Sequence, residues 1–189
     1  MGNSQGTNST LKKEELEELT KITHFDHKEL NAMYKQFKKE TPQGFITKEE
    51  FKEVMKQMGV VDNFLQELIF NVFDNNKDGT INFQEFVCAL SVMTRGTTDE
   101  KLEFSFRLYD ITSNGYITKD EMTKIMDSFY KLVGPLVTFS GKKYESHAQL
   151  VEEFFEQIDT TGEGKITLEM YKEGAVKNPD IIQGLKLFA

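Results

Sequence analysis

Leu30, Met33, Tyr34 and Phe37 recur at three- and four-residue intervals, a stripe that one face of a helix would carry. They follow Asp26-His27-Lys28-Glu29, where Asp and Glu three residues apart form a capping box at a helix start. The same start signal returns at Thr47 with Glu50, Asn82 with Glu85, and Thr118 with Glu121. Thr97 with Glu100 and Ser146 with Gln149 repeat it again, and Asn178-Pro179 reads as the cap and first turn of a short final helix. Phe86-Val87-Cys88-Ala89-Leu90 supplies an apolar helix face. The pattern predicts an all-α chain. No apolar run approaches the roughly 18–20 residues of a membrane span.

Between these helices lies a repeat. Alignment on glycine finds four loops, centred on Gly44, Gly79, Gly115 and Gly164, each with isoleucine two residues later: Ile46, Ile81, Ile117 and Ile166. The second, residues 74–85, places oxygen side chains at positions 1, 3, 5, 9 and 12 with glycine at 6, the pattern of an EF-hand calcium loop. Calcium is a hard cation that takes six to eight oxygens at about 2.3–2.6 Å. Asp74, Asn76 and Asp78 can each give one, the Thr80 carbonyl another, Asn82 a water-mediated contact, and Glu85 both carboxylate oxygens.

Four such hands form two pairs, with Ile46 expected opposite Ile81 and Ile117 opposite Ile166 in short strands. The expected fold is all-α, with four EF-hands arranged as two paired lobes and short loop-to-loop β contacts. Residues 1–23 form an N-terminal arm, 24–94 and 98–176 the two pairs, 95–97 the link between them, and 177–189 a C-terminal helix or tail. The third-to-fourth spacing is longer than the others by about a dozen residues, and the excess around 134–143 reads as a flexible connection.

The ligand sets differ. The first loop, residues 39–50, begins with Lys39 and carries Pro42 at position 4, so it is expected to be structural. The third keeps Asp110, Asn114 and Glu121, with Thr112 at position 3, the Tyr116 carbonyl at 7 and Thr118 at 9. Two ligand carboxylates there, against three in the second loop, predict weaker binding. In the fourth, Asp159, Thr161, Glu163 and the Lys165 carbonyl offer oxygens, but Met170 holds position 12 and Glu169 sits one residue early. One helical residue rotates a side chain by about 100°, so this loop is expected to be weak or empty. The count is two calcium ions per chain, with Mg2+ a candidate occupant at rest.

A formal charge of −8 argues against a nucleic-acid-binding surface. Cys88 is the single cysteine, which excludes an intramolecular disulfide and fits a reducing compartment. His24, His27 and His147 show no zinc spacing, and His24 and His27 read as solvated. No nucleophile motif or glycine-rich phosphate loop is present, so an enzyme is not expected. The polar N-terminus is no secretory signal. Met1-Gly2-Asn3-Ser4 offers Gly2 for myristoylation, although residue 6 is Gly6 where serine or threonine is usual, and only Lys12 and Lys13 lie nearby as basic support.

Phe25-Asp26-His27-Lys28-Glu29-Leu30, Tyr34-Lys35-Gln36-Phe37 and Thr41-Pro42-Gln43-Gly44 resemble the first hand of the neuronal calcium sensor family. Asn71-Val72-Phe73-Asp74, residues 83–92, Thr94-Arg95-Gly96-Thr97, Leu108-Tyr109-Asp110 and Asn114-Gly115-Tyr116-Ile117 are similar to its frequenin branch. The likeness spans roughly residues 24–188. Thr41 stands where the family's disabled first loop has cysteine, and the broken fourth loop is closer to the recoverin branch. The resemblance implies a myristoylated, cytoplasmic and peripheral-membrane sensor, acting as a monomer or weak dimer. Calcium would open a groove drawing on Tyr34, Phe37, Phe51, Val54, Met55, Phe64, Leu68 and Phe86. An amphipathic helix of a target would lie there, with residues 181–188 as an internal alternative. Targets of the family include phosphatidylinositol 4-kinases, receptor kinases and channels. A calcium buffer and a constitutive regulatory subunit resembling calcineurin B are the competing readings.

Overall fold

The computed structural model describes the backbone of residues 10–133, 138–139, 142–143 and 146–177. Gly2, the Asn178-Pro179 cap, residues 181–188 and most of the 134–145 connection lie outside the described residues.

The predicted caps form as hydrogen bonds. Asp26 accepts from the Glu29 N–H at 2.8 Å while Glu29 accepts from the Asp26 N–H at 3.0 Å, starting helix α2 (His27–Glu40). Thr47 caps α3 (Lys48–Gln57), and Asn82, Thr97 and Ser146 cap α5 (Phe83–Arg95), α6 (Thr98–Tyr109) and α8 (His147–Ile158). Asp62, unread in the sequence, caps α4 (Asn63–Phe73). Helices α7 (Lys119–Val133) and α9 (Leu168–Lys177) complete the hands.

Four three-residue strands join the loops in pairs. Strand β1 (Phe45–Thr47) runs antiparallel to β2 (Thr80–Asn82) with Ile46 opposite Ile81. Strand β3 (Tyr116–Thr118) meets β6 (Lys165–Thr167) with Ile117 opposite Ile166. Ile81, Ile117 and Ile166 are wholly buried. Within the long connection, β4 (Thr138–Phe139) pairs antiparallel with β5 (Lys142–Lys143).

Two features differ from the sequence expectation. The arm contains a helix, α1 (Lys13–Ile22), whose Leu16 and Leu19, with Leu11, join Phe25, Leu30, Phe37, Phe83 and Val87 in one apolar cluster. Arg95 is the last residue of α5, leaving Gly96-Thr97 between helices. Gly96 is required there, since a Cβ would run into the Val92 carbonyl oxygen. His24 is exposed, as expected, and also has partners. Its Nε2 lies 2.9 Å from Glu100 and its N–H donates to Ser91 Oγ at 2.7 Å. Arg95 donates to the His24 carbonyl at 3.0 Å, pairs with Glu29 and lies 4.7 Å over the Phe25 ring.

The lobes share a core. Leu65, Leu68 and Val72 of α4 and Ala89 of α5 pack in one cluster with Leu102, Phe106, Ile125, Phe155 and Tyr171 of the second lobe. Phe51, Phe70 and Ile81 form a smaller cluster inside the first lobe.

Leu65→Ala is expected to lower the unfolding free energy by about 2–5 kcal/mol. In urea denaturation, probes of both lobes should move together, and a loss confined to the first lobe contradicts the shared core. A second expectation concerns acid. Arg95 holds the Glu29 carboxyl below its ordinary value, Lys52 does so for Glu67, and the Thr97 N–H for Glu100. A folded value below the unfolded one gives stability that is present above the unfolded value and lost as pH falls through the folded value. The calcium-free urea midpoint should therefore drop between about pH 5 and pH 3, and a flat profile contradicts these contacts.

Candidate metal centres

Each loop begins where a helix ends. Asp74 closes α4 by donating its N–H to the Phe70 carbonyl at 2.9 Å, and Asp110 closes α6 onto Phe106 at 2.8 Å. Their carboxylates then gather the loop backbone. Asp74 accepts from the Asp78 N–H at 3.1 Å and the Gly79 N–H at 2.9 Å. Asp110 accepts from the Asn114 N–H at 3.0 Å and the Gly115 N–H at 2.8 Å. The chain turns sharply through left-handed residues: Lys77 at φ 59° with Gly79 at φ 85°, and Ser113 at φ 54° with Gly115 at φ 91°.

In the second loop, Asn76 Oδ1 accepts from the Asp78 N–H at 2.8 Å. Asp78 accepts from the Thr80 hydroxyl at 2.7 Å and N–H at 2.8 Å, and these bonds hold its carboxyl below the ordinary range. Glu85 reaches back from α5, one oxygen 3.1 Å from the Asn76 N–H and the other 3.0 Å from the Asn82 N–H. The structure thus brings Asp74, Asn76, Asp78, Asn82 and Glu85 around one loop, with Thr80 in β2.

The third loop repeats the arrangement. Glu121 accepts from the Thr112 N–H at 3.1 Å and hydroxyl at 2.9 Å, and from the Thr118 N–H at 2.9 Å and hydroxyl at 2.8 Å. Burial pushes this carboxyl up, but the bonds from Thr118 and Thr112 outweigh it and the net shift is downward. Asn114 accepts from the Tyr116 N–H at 3.1 Å.

The fourth loop keeps only its first half. Asp159 accepts from Thr161, Gly162 and Gly164, the last at 2.7 Å. Met170 is half-buried against the second-lobe core, its N–H bonded to Thr167 at 3.3 Å, while Glu169 and Glu163 are exposed. Lys165 places its ammonium 4.6 Å over the Tyr116 ring. In the first loop Lys39 and Pro42 are exposed.

Asp74, Asp110 and Glu121 are buried carboxylates, at 4%, 7% and 5% exposure. Among the described residues none has a Lys, Arg or His partner in an ion pair. A buried carboxylate without a counter-charge is costly, and the surrounding oxygens are hard ligands, so this donor set fits Ca2+ in the second and third loops. No three His, Cys, Asp or Glu side chains among the described residues converge as a ready metal cluster. The sets depend instead on amide, hydroxyl and main-chain oxygens as well.

Arg107 stands between the two loops. It donates to Asn75 Oδ1 at 3.2 Å and lines both a cavity of about 370 Å³ beside Asn76 and Glu85 and one of about 290 Å³ beside Asp74 and Asp110. Burial lowers its pKa, and Glu103 opposes that shift. Its bridging place was not read from the sequence, because the residue lies in α6, outside the loop pattern. Cys88 faces the larger cavity, and burial followed by the Glu85 charge pushes its thiol up, away from reactive thiolate.

The groove residues fall into separate clusters. Phe37 packs with the α1–α2 cluster, beside half-buried Tyr34. Phe51 lies with Phe70, and half-buried Met55 and Phe86 pack against them. Leu68, with Phe64 against it, belongs to the core shared by the lobes, and Val54 is 50% exposed.

Comparison with known proteins agrees with this geometry. The EF-hand domain pair family matches residues 99–175, and the USP32 N-terminal domain family matches residues 12–116. The chain is 64% identical over 187 residues to the calcium-binding protein NCSA of Dictyostelium discoideum, covering 99% of this chain and 98% of that protein. With four paired helix–loop–helix hands and identity along nearly its whole length, the chain belongs to the neuronal calcium sensor family of EF-hand proteins.

Proposed function

We propose that the protein is a calcium sensor that binds two Ca2+ ions, at the second and third hands, and regulates target proteins at membranes. The observation that carries this reading is the inward carboxylate of Glu85 and of Glu121, each bonded to positions 3 and 9 of its own loop. Met170 offers no such group. A bound Ca2+ ion would supply the positive charge that the buried carboxylates lack. Asp74, Asn76, Asp78, the Thr80 carbonyl, Asn82 and Glu85 hold the first ion. Asp110, Thr112, Asn114, the Tyr116 carbonyl, Thr118 and Glu121 hold the second more weakly, with Mg2+ competing at rest.

Glu85 and Glu121 sit in the first turns of α5 and α7, so a shift of either carboxylate moves an exiting helix. Opening would bring Tyr34, Phe37, Phe51, Val54, Met55, Phe64, Leu68 and Phe86 into one groove, which receives an amphipathic target helix. Among the described residues no helix is long and apolar enough to cross a membrane. Membrane attachment is assigned to a myristoyl group on Gly2 of Met1-Gly2-Asn3-Ser4, whose single chain binds reversibly with K on the order of 10⁴ M⁻¹.

Calorimetry should register two calcium ions per chain, and three or four sites of comparable affinity contradict the assignment. Glu85→Gln should remove the tighter site, and an unchanged titration reverses the ranking. Met170→Glu should add a third ion at the fourth loop, whose Asp159 is already bonded to the backbone. A count that stays at two shows that more than the closing ligand is missing. A hydrophobic dye that binds only with calcium distinguishes a sensor from a buffer, whose hands barely open.

A further inference from the structure

The first loop is closed by one of its own side chains. Lys39, at position 1, brings no carboxylate, and Thr41, at position 3, is buried with its hydroxyl donated to the Phe37 carbonyl at 2.6 Å. Gln43 holds position 5, where the second and third loops place Asp78 and Asn114. Its Nε2 donates to the Phe45 carbonyl at 2.9 Å and to the two Glu50 carboxylate oxygens at 3.0 and 3.1 Å. Phe45 and Glu50 are positions 7 and 12 of this loop. They are the main-chain carbonyl and the closing bidentate carboxylate that a working EF-hand loop directs at its ion.

Glu50 also differs from its counterparts in how it is held. Glu85 and Glu121 each take a bond from the position-3 N–H, of Asn76 and Thr112. Glu50 takes its bonds from the Gln43 amide and from the Thr47 N–H and hydroxyl, at 2.8 and 2.9 Å. The Thr47 N–H and hydroxyl, and after them Gln43, hold its carboxyl below the ordinary range. Glu50 is thus an ionised acceptor, and bonds to it are charge-assisted.

We propose that the Gln43 amide is a built-in stand-in for the cation of the first loop, tying strand β1 to helix α3 at every calcium concentration. The consequence reaches the second loop through the strand pair. β1 carries Phe45, Ile46 and Thr47 against Asn82, Ile81 and Thr80, and the last of these supplies the position-7 carbonyl of the second loop. Gln43 is accordingly a positioning residue: by fixing β1 it presents a preformed partner for β2 and raises the calcium affinity of the neighbouring hand. This second step rests on the reading of residues 74–85 as a calcium loop.

Gln43 is exposed, so its replacement leaves the core intact. In the full-length protein, Gln43→Met keeps the length of the side chain and removes its donors, whereas Gln43→Lys restores a donor facing Glu50. Two readouts are needed: amide hydrogen exchange of β1 without calcium, and the calcium affinity of the second loop. The methionine variant should exchange about tenfold faster in β1 and bind calcium about three- to tenfold more weakly, the scale of one solvent-exposed hydrogen bond. The lysine variant should return both to within about twofold of the parent. A methionine variant that matches the parent in both readouts overturns the proposal, as does a lysine variant no better than methionine. If the parent's second loop takes up no calcium, the functional reading fails, while β1 exchange still judges the stand-in.

Discussion

A carboxylate in the first turn of an exiting helix, bonded back to the loop before it, is the contact on which the rest of this molecule depends. It appears at Glu85 and Glu121 as a bridge between positions 3 and 9. It appears at Glu50 with a side-chain amide in place of the position-3 N–H. At Met170 it is missing, and the exiting helix is held by apolar packing instead. Each hand's capacity to respond follows from that difference. On the proposed assignment, the two loops with the bridge have a carboxylate that a cation can take over, the first is already satisfied, and the fourth lacks the closing carboxylate.

The strand pairs and the shared core make these local differences collective. Ile46 with Ile81 and Ile117 with Ile166 join the loops in pairs. On the proposed assignment, each pair sets one calcium-binding hand beside one that does not bind. Across the lobes, α4 leads into the second loop and also packs on the second-lobe core, while Arg107 on α6 touches Asn75 of the second loop. The His24–Glu100 and Arg95–Glu29 pairs hold the start of α2 to the end of α5 and the start of α6. These exposed pairs contribute little energy singly, but they flank the short link at Gly96, where Cβ has no room.

What the sequence made legible was local. Caps and loop spacing are set by residues within a dozen positions of one another, the isoleucine register follows from repeating that spacing in each loop, and the structure forms both as predicted. Helix α1 was missed because its apolar stripe is only Leu11, Leu16 and Leu19 in a run rich in lysine and glutamate. The contact that exposed His24 makes with Glu100 was not legible, because that partner lies 76 residues away. The shared core was likewise invisible, since helical periodicity shows that a face is apolar but not which face it meets. Gln43 sat inside a motif already read, yet its role depends on where one flexible amide points, which spacing does not encode.

The most direct measurement follows the amide resonances of the four loop glycines during a calcium titration. Gly79, Gly115 and Gly164 each donate to the first carboxylate of their loop, at 2.9, 2.8 and 2.7 Å, whereas Gly44 donates to the Thr41 carbonyl at 2.8 Å. A cation on that carboxylate polarises the N–H that faces it. The account predicts large, saturating shifts at Gly79 first and Gly115 second, with Gly44 and Gly164 left near their starting positions. A saturating shift at Gly164 in the same calcium range, or none at Gly79, would contradict it.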